Sequence, residues 1–282
     1  MMSPVPDPTI LCRDMTESLA DAAFGTRPGE LELPGSAVPV ERWMRAVAWG
    51  GQGHYSRSRA ELATLAGIAG EDSVASLAWS TQASLLRQLG WHSIAAGFDG
   101  KALALAGMGR EGAAETPLMR EARCDALTGL AADALGCGRL ALGWRLLDRC
   151  GTRLTGGVGL AMWRQRVRHH WVSAELSLAG GDFAGARRHA DAAAEISRVA
   201  GSVRHHIKSD LLRSASMTGM SDSSPAVRLA ADVLGRCDEY GLMPLKWAAA
   251  MLLSGVSNDS HAEGIRLECE EIIRARGGRF RI

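Results

Sequence analysis

Residues 174–196 read AELSLAGGDFAGARRHADAAAEI. An alanine- and leucine-rich run meets Gly180-Gly181, then Asp182 and Phe183, then a second run with alanines at 186, 190 and 193. Alanine and leucine are strong helix formers. Glycine accepts the left-handed backbone that lets a chain reverse in a short turn. Ala186, Ala190 and Ala193 recur at helical spacing, so they share one face, where small side chains let two helices approach closely. The stretch therefore predicts a helix, a tight turn and a second helix. One such pair cannot bury its own apolar face, which predicts further pairs stacked beside it.

The same layout recurs upstream. Turn glycines are assigned to Gly53, Gly90, Gly136 and Gly181, at spacings of 37, 46 and 45 residues. Five places after each stands a small residue: Ser58, Ala95, Ala141 and Ala186. Two places after the glycine stands a larger residue in three units, Tyr55, His92 and Phe183, while the third unit has Gly138 there. Residues 203–240 form another pair, split by a loop at 219–225 whose Pro225 suits the first helical position. Residues 243–255 and 261–276 form the last. The count is about twelve helices in six pairs, with looser connectors near 107–117 and 151–159. β-Branched residues do not cluster with period two, so strands are not expected. Residues 1–37 are proline-rich and read as a flexible arm with a short helix over 16–24, which either folds back on the domain or serves as an attachment segment, residues 38–276 as the helical domain, and residues 277–282 as a basic, frayed tail.

The run Ala174–Ile196 resembles the tetratricopeptide repeat in its glycine, acidic, aromatic and spaced-alanine order. The other units match more loosely, and the family's helix-ending proline is missing from every one. The chain is also similar to the helical repeat regions of large bacterial regulators of the LuxR and maltose-regulator kind, for instance in EYGLMPLKWAAAMLLSG at 239–255. The resemblance implies an all-α, right-handed superhelical stack of antiparallel pairs, with the first helix of each pair on the concave side. No ATPase module and no DNA-reading helix-turn-helix accompany it.

The formal net charge is +1, so no global field draws the chain to nucleic acid or an anionic membrane, and direct nucleic-acid binding is not expected. Of the basic residues only Lys101, Lys208 and Lys246 are lysines; the arginine, alanine and glycine bias fits a GC-rich bacterial genome. Six cysteines without a C-x-x-C pair, no secretory leader and no long apolar span point to a cytoplasmic protein. Gly107–Gly112 spells G-x-G-x-x-G, but it follows a helical run instead of a strand and reads as a connector. His169 and His170 are neighbours that point to different sides of a helix, and no metal-ligand spacing occurs. No catalytic arrangement is visible, so neither enzyme activity nor a cofactor is expected.

One repeated string stands out: Val167-Arg168-His169-His170 recurs as Val203-Arg204-His205-His206. Arg168 stands 13 residues before Gly181, Arg123 stands 13 before Gly136, and Lys246 aligns with Arg204 on apolar residues. If first helices line a concave face, Arg123, Arg168, Arg204 and Lys246 form a basic ladder there. His169, His205, Trp171 and Trp247 stand beside it. This set is the candidate partner-binding surface, since arginine takes carboxylates and phosphates in bidentate fashion. The plainer account is solvated arginines copied by duplication. Two functions follow as expectations: an adaptor that holds a peptide or helix of another protein, or a sensor of a small anionic molecule acting on a transcription or signalling partner. Self-association stays open.

Overall fold

The computed structural model describes residues 8–68, 70–107, 115–154 and 161–281, the side chains of 8–15 excepted. Among these the chain is all helical, with no strand. Helix α1 (Pro8–Phe24) precedes six pairs. These are α2 (Pro39–Gly51) with α3 (Tyr55–Leu65), α4 (Asp72–Arg87) with α5 (His92–Leu105), and α6 (Pro117–Gly136) with α7 (Leu140–Leu154). They continue with α8 (Trp163–Ala179) and α9 (Phe183–Val199), α10 (Val203–Met217) and α11 (Ser224–Glu239), and α12 (Met243–Ser257) and α13 (Ser260–Ala275). Starts are set locally. The Thr116 hydroxyl accepts from Met119 N at 3.1 Å with Pro117 next in line, and Asp182 Oδ1 accepts from Gly185 N at 2.7 Å. Pro225 lies in the first turn of α11. Of the connectors expected near 107–117 and 151–159, residues 108–114 and 155–159, with most of the G-x-G-x-x-G string, lie outside the described residues, while 151–154 belong to α7.

Each helix packs on the next, and the first helices also pack on one another, α2 on α4, α4 on α6, α6 on α8, α8 on α10 and α10 on α12. This is the arrangement in which no pair buries its apolar face alone. Helix α12 also touches α2, so the first helices form a closed circuit with α3, α5, α7, α9, α11 and α13 outside it. Arg276 at the end of the helical domain and residues 277–281 of the tail expected to fray seal that circuit. Arg276 Nη1 donates to Gln52 O at 2.7 Å, Ser56 N to Arg276 O at 3.0 Å, Trp91 Nε1 to Arg279 O at 2.6 Å and Arg281 N to Leu89 O at 2.8 Å. Phe280 packs on Trp247 with ring centroids 5.1 Å apart.

The expected N-terminal arm is likewise packed where its side chains are described. Leu19, Ala22 and Ala23 are buried, and Phe24 lies 5.4 Å from the Trp43 ring. Val203 N donates to Gly25 O at 3.1 Å, and Gln52 Nε2 donates to Pro28 O at 3.0 Å and Glu30 O at 2.7 Å. Helix α1 thus bridges α2 and α10. The arm's prolines mark its loops, while its apolar residues at 19, 22 and 23 fall on one helical face.

The third turn is corrected by two residues. Gly53, Gly90 and Gly181 have φ of +81°, +87° and +78°, and their counterpart is Gly138 at +73°, not Gly136. Gly136 is the last residue of α6. With Gly138 as the turn, the larger residue two places on is Leu140 and the small residue five places on is Gly143. Gly143 is buried, and a Cβ there would stand 2.9 Å from Leu176 Cδ2. Ala141 is exposed.

Gly136 has a packing role. A Cβ there would overlap the His92 ring, and a Cβ on Gly129 would overlap the Asp99 carboxyl group. His92 and Asp99 are seven residues apart on α5, and Gly129 and Gly136 are seven apart on α6. Seven residues is close to two helical turns, so two side chains of α5 lie against two bare stretches of α6 backbone. Helix α6 is buried on nearly all sides, from Ala122 to Ala134, which is why its sequence lacks a clean polar face.

Candidate functional site

The inner helices enclose a cavity of about 70 Å³ that is partly open to solvent. Helix α8 brings Arg164 and Arg168 to it, one turn apart, and α10 brings Arg204 and His205. Helix α6 contributes Asp125, the sole carboxylate among the lining residues against three guanidinium groups. Helix α4 adds the neutral groups Ser80, Thr81 and Ser84, while α1 and α2 add Phe24 and Trp43.

Arg164 and Arg168 share Asp125. Arg164 Nη1 is 2.6 Å from Asp125 Oδ2 and Arg168 Nε is 3.1 Å from Oδ1. Arg164 also reaches Glu121 at 3.2 Å and lies 5.3 Å from the centroids of both Phe24 and Trp43, in cation–π range. Burial works against its charge, but Asp125 and Glu121 hold its proton affinity above the usual guanidinium value. Arg168 is pulled the other way by burial and by Arg164 and Arg87.

Arg204 has only neutral acceptors within the described contacts. It donates from Nη1 to Val47 O at 3.3 Å and from Nη2 to Ala23 O at 3.0 Å. Burial, then Arg168 and Arg164, push its pKa down to about 10, so it remains a cation at neutral pH. A Cβ on Gly51 would stand 2.8 Å from Arg204 Nη1, so the glycine at the end of α2 lets the guanidinium lie against that backbone.

His205 is buried, stacked on Trp171 at 5.2 Å and edge-on to Trp163 at 5.0 Å. Burial and four surrounding cations hold it well below the usual histidine value, so it is neutral. Its Nδ1 lies 2.8 Å from the Ser202 hydroxyl. This serine–histidine contact spans the first turn of α10, is buried and has no carboxylate behind it, so it is a helix-start contact and no nucleophile–base pair.

The ladder is therefore half assembled. Arg168 and Arg204 meet across the cavity, with His205 beside them and Trp171 behind. Trp171 is buried and donates to Ser209 Oγ at 2.8 Å, so it packs helices instead of offering an anchor. Arg123 leaves the set. It pairs with Glu115 at 2.6 Å and donates to the Ala106 carbonyl at 2.6 Å, tying α6 to the end of α5. The shifted turn explains this: the residue 13 before Gly138 is Asp125, and it holds the rung expected for Arg123. Two residues on a helix are about 200° of rotation, enough to face the other way. His169 is turned to α7, with Nε2 3.1 Å from Leu147 O. Lys246 pairs with Asp238 at 2.6 Å, and Trp247 lies against Phe280 and reaches Glu270 at 3.2 Å, and neither is among the residues lining the cavity. Arg164 and Phe24 are the residues that sequence reasoning missed. Arg164 was signalled by its place one turn before Arg168, whereas Phe24 lay in the segment set aside as an arm.

Behind the cavity runs a second buried network. Arg87 bridges Asp99 of α5 and Asp133 of α6, the latter at 2.8 Å. Burial, opposed by Arg87 and aided by Asp133, pushes Asp99 up to about 7. Its ordinary value is 3.8, so the folded state holds this proton longer than the unfolded chain, and stability falls as pH rises from about 4 to about 7. We expect the denaturation midpoint of the native protein, relative to Asp99→Asn, to fall between pH 5 and pH 8. Parallel pH profiles for the two proteins would remove Asp99 as the titrating group.

No group of three or more His, Cys, Asp or Glu side chains is placed to hold a metal ion among the described residues, and none of their helices is long and apolar enough to cross a membrane. No known family model and no curated protein sequence matches the chain.

Proposed function

We propose that this chain is a non-catalytic, ligand-responsive regulatory module of tetratricopeptide-like build, whose inner cleft takes a small anionic molecule. The observation that carries the reading is the meeting of Arg164, Arg168 and Arg204 in one partly enclosed cavity with Asp125 as the sole lining carboxylate. Cations gathered away from water are costly unless an anion joins them, and such clusters mark binding sites. The ligand ties α8 to α10, and through Arg204 to α1 and α2, so its arrival acts on five elements of the circuit once Asp125 of α6 is counted. A partner protein reads that change, as in any equilibrium that a ligand biases.

The adaptor reading, with a peptide or helix of another protein in the groove, has less to support it. Helix α1 already spans α2 and α10, and the closed circuit leaves room for a small molecule. Charge reversal at Arg168 plus Arg204 is also a poor test of either reading. It would set new carboxylates beside Asp125 and cut the tie to Ala23, so the fold itself would suffer.

The test is thermal denaturation with a panel of small carboxylate and phosphate anions at matched ionic strength. A ligand at one hundred times its dissociation constant adds about 2.7 kcal/mol. For a chain of this size that corresponds to about 5 °C. We expect at least one anion to give such a shift and Arg204→Gln to lose most of it. An equal response from Arg204→Gln, or no response to any anion, would contradict the proposal.

A further inference from the structure

We infer that the cleft is built for one compact tetrahedral oxyanion, phosphate either free or as the terminal phosphoryl group of a larger molecule. The inference rests on the anion-binding reading above and narrows it by size, charge and donor geometry.

Size comes first. About 70 Å³ holds a few water molecules or one small oxyanion, and it does not hold a nucleotide or a peptide segment. A larger molecule reaches the arginines only by inserting one end through the open side. Charge comes second. Three guanidinium groups and one carboxylate line the space, an excess of two positive charges at its wall, one of which Glu121 offsets from behind by its pairing with Arg164 at 3.2 Å. A phosphate carries about −1.5 to −2 at neutral pH, whereas a single carboxylate carries one negative charge.

Donor geometry comes third. Arg164 divides its terminal nitrogens between Asp125 and Glu121, Arg168 Nε lies 3.1 Å from Asp125 Oδ1 without a hydrogen bond to it, and Arg204 spends its donors on two backbone carbonyls, one of them at 3.3 Å. A charged acceptor forms hydrogen bonds roughly twice as strong as a neutral one, so an arriving anion outcompetes the Val47 carbonyl. Two helices supply two forks with donors to give, on Arg168 and Arg204, and Arg164 adds its charge beside them. A carboxylate has two oxygens to offer them, and a tetrahedral oxyanion has three or four. Gly51, bare beneath Arg204, leaves that guanidinium beside the cavity.

The experiment is titration calorimetry on the intact chain with inorganic phosphate, sulfate, phenyl phosphate and succinate at constant ionic strength. Phosphate and sulfate are expected to bind one per chain, with succinate at least tenfold weaker. Arg168→Gln and Arg204→Gln should each weaken phosphate at least tenfold. Because Arg204 also holds α1, Arg204→Lys serves as the second variant. Its circular dichroism and tryptophan emission should match the native protein while phosphate binding falls. Phenyl phosphate tighter than free phosphate assigns the natural ligand to an organic phosphate, and the reverse order assigns it to the free ion; both outcomes support the site. Succinate binding as well as phosphate overturns the oxyanion assignment and leaves the broader anion reading standing. If none of the four binds, both fall together.

Discussion

Replacing Gly129 by alanine is expected to destabilise the protein by about 3 kcal/mol or more. The added methyl group would overlap the carboxyl of Asp99, which is fully buried and paired with Arg87. Asp99 has a short side chain, so it cannot swing aside as a lysine could. Moving it disrupts the buried Asp99–Arg87–Asp133 network, in which Arg87 keeps Asp133 at 2.8 Å but loses Asp99, and disturbing such a buried network is costly. Two controls separate this from ordinary glycine effects. Gly138→Ala, at φ +73° with nothing within 4 Å, should cost about 1–2 kcal/mol through the backbone alone. Gly235→Ala, inside α11 with open space around it, should stabilise by about 0.5–1 kcal/mol. Urea denaturation of the three variants gives the ranking. A Gly129→Ala protein as stable as Gly235→Ala would mean that α5 and α6 do not pack as described.

The same glycines show what the sequence could and could not convey. Helix pairing was legible because alanine, leucine and a turn glycine act locally, and all six pairs appear. Register was legible in three units and slipped in the third, where LGCGRL at 135–140 offers Gly136 and Gly138 two residues apart. Both glycines are required, one for left-handed backbone and one for a ring pressed on a helix, and the letters alone do not say which. The requirement for a larger residue two places on chooses Gly138, since Leu140 meets it there while Gly138 fails it when Gly136 is taken as the turn; the small residue five places on is present either way, as Gly143 or Ala141. The slip then passed into the site. Counting back from the wrong glycine put Arg123 on the inner face, where counting from Gly138 puts Asp125.

Arg168 and Arg204 were found because their rungs were in register, and their meeting is tertiary information. The arm expected over residues 1–37 raises a different point: the short helix expected over 16–24 lies within α1, and where its side chains are described it packs back on the domain. Prolines signal loops, and the loops at 25–38 are real, but proline content says nothing about whether the helix before them finds a face to cover. Leu19, Ala22, Ala23 and Phe24 form a short apolar stripe, and only the exposed gap between α2 and α10 tells that it has somewhere to go.

Deleting residues 277–282 should cost about 3 kcal/mol and change the form of unfolding as well as its midpoint. The deletion removes three hydrogen bonds across the seam, Arg59 Nη2 to Gly277 O at 2.9 Å, Trp91 Nε1 to Arg279 O at 2.6 Å and Arg281 N to Leu89 O at 2.8 Å. Each is worth about 1 kcal/mol net. Losing Phe280 from its place against Trp247 adds about 2 kcal/mol, and the ordering entropy of the tail offsets part of the sum. The larger consequence is architectural. In a linear stack each unit leans only on its neighbours, so the ends fray and unfolding spreads inward. A seam between first and last units removes both free ends and makes unfolding concerted. The native protein should melt in one transition, with tryptophan emission and circular dichroism coincident. The truncated chain should show an earlier emission change, from Trp91 and Trp247 at the opened seam, before helix content is lost. If the two signals stay coincident and the midpoint is unmoved, the tail is not a seam, and the circuit must be closed by the contact of α12 with α2 and by α1.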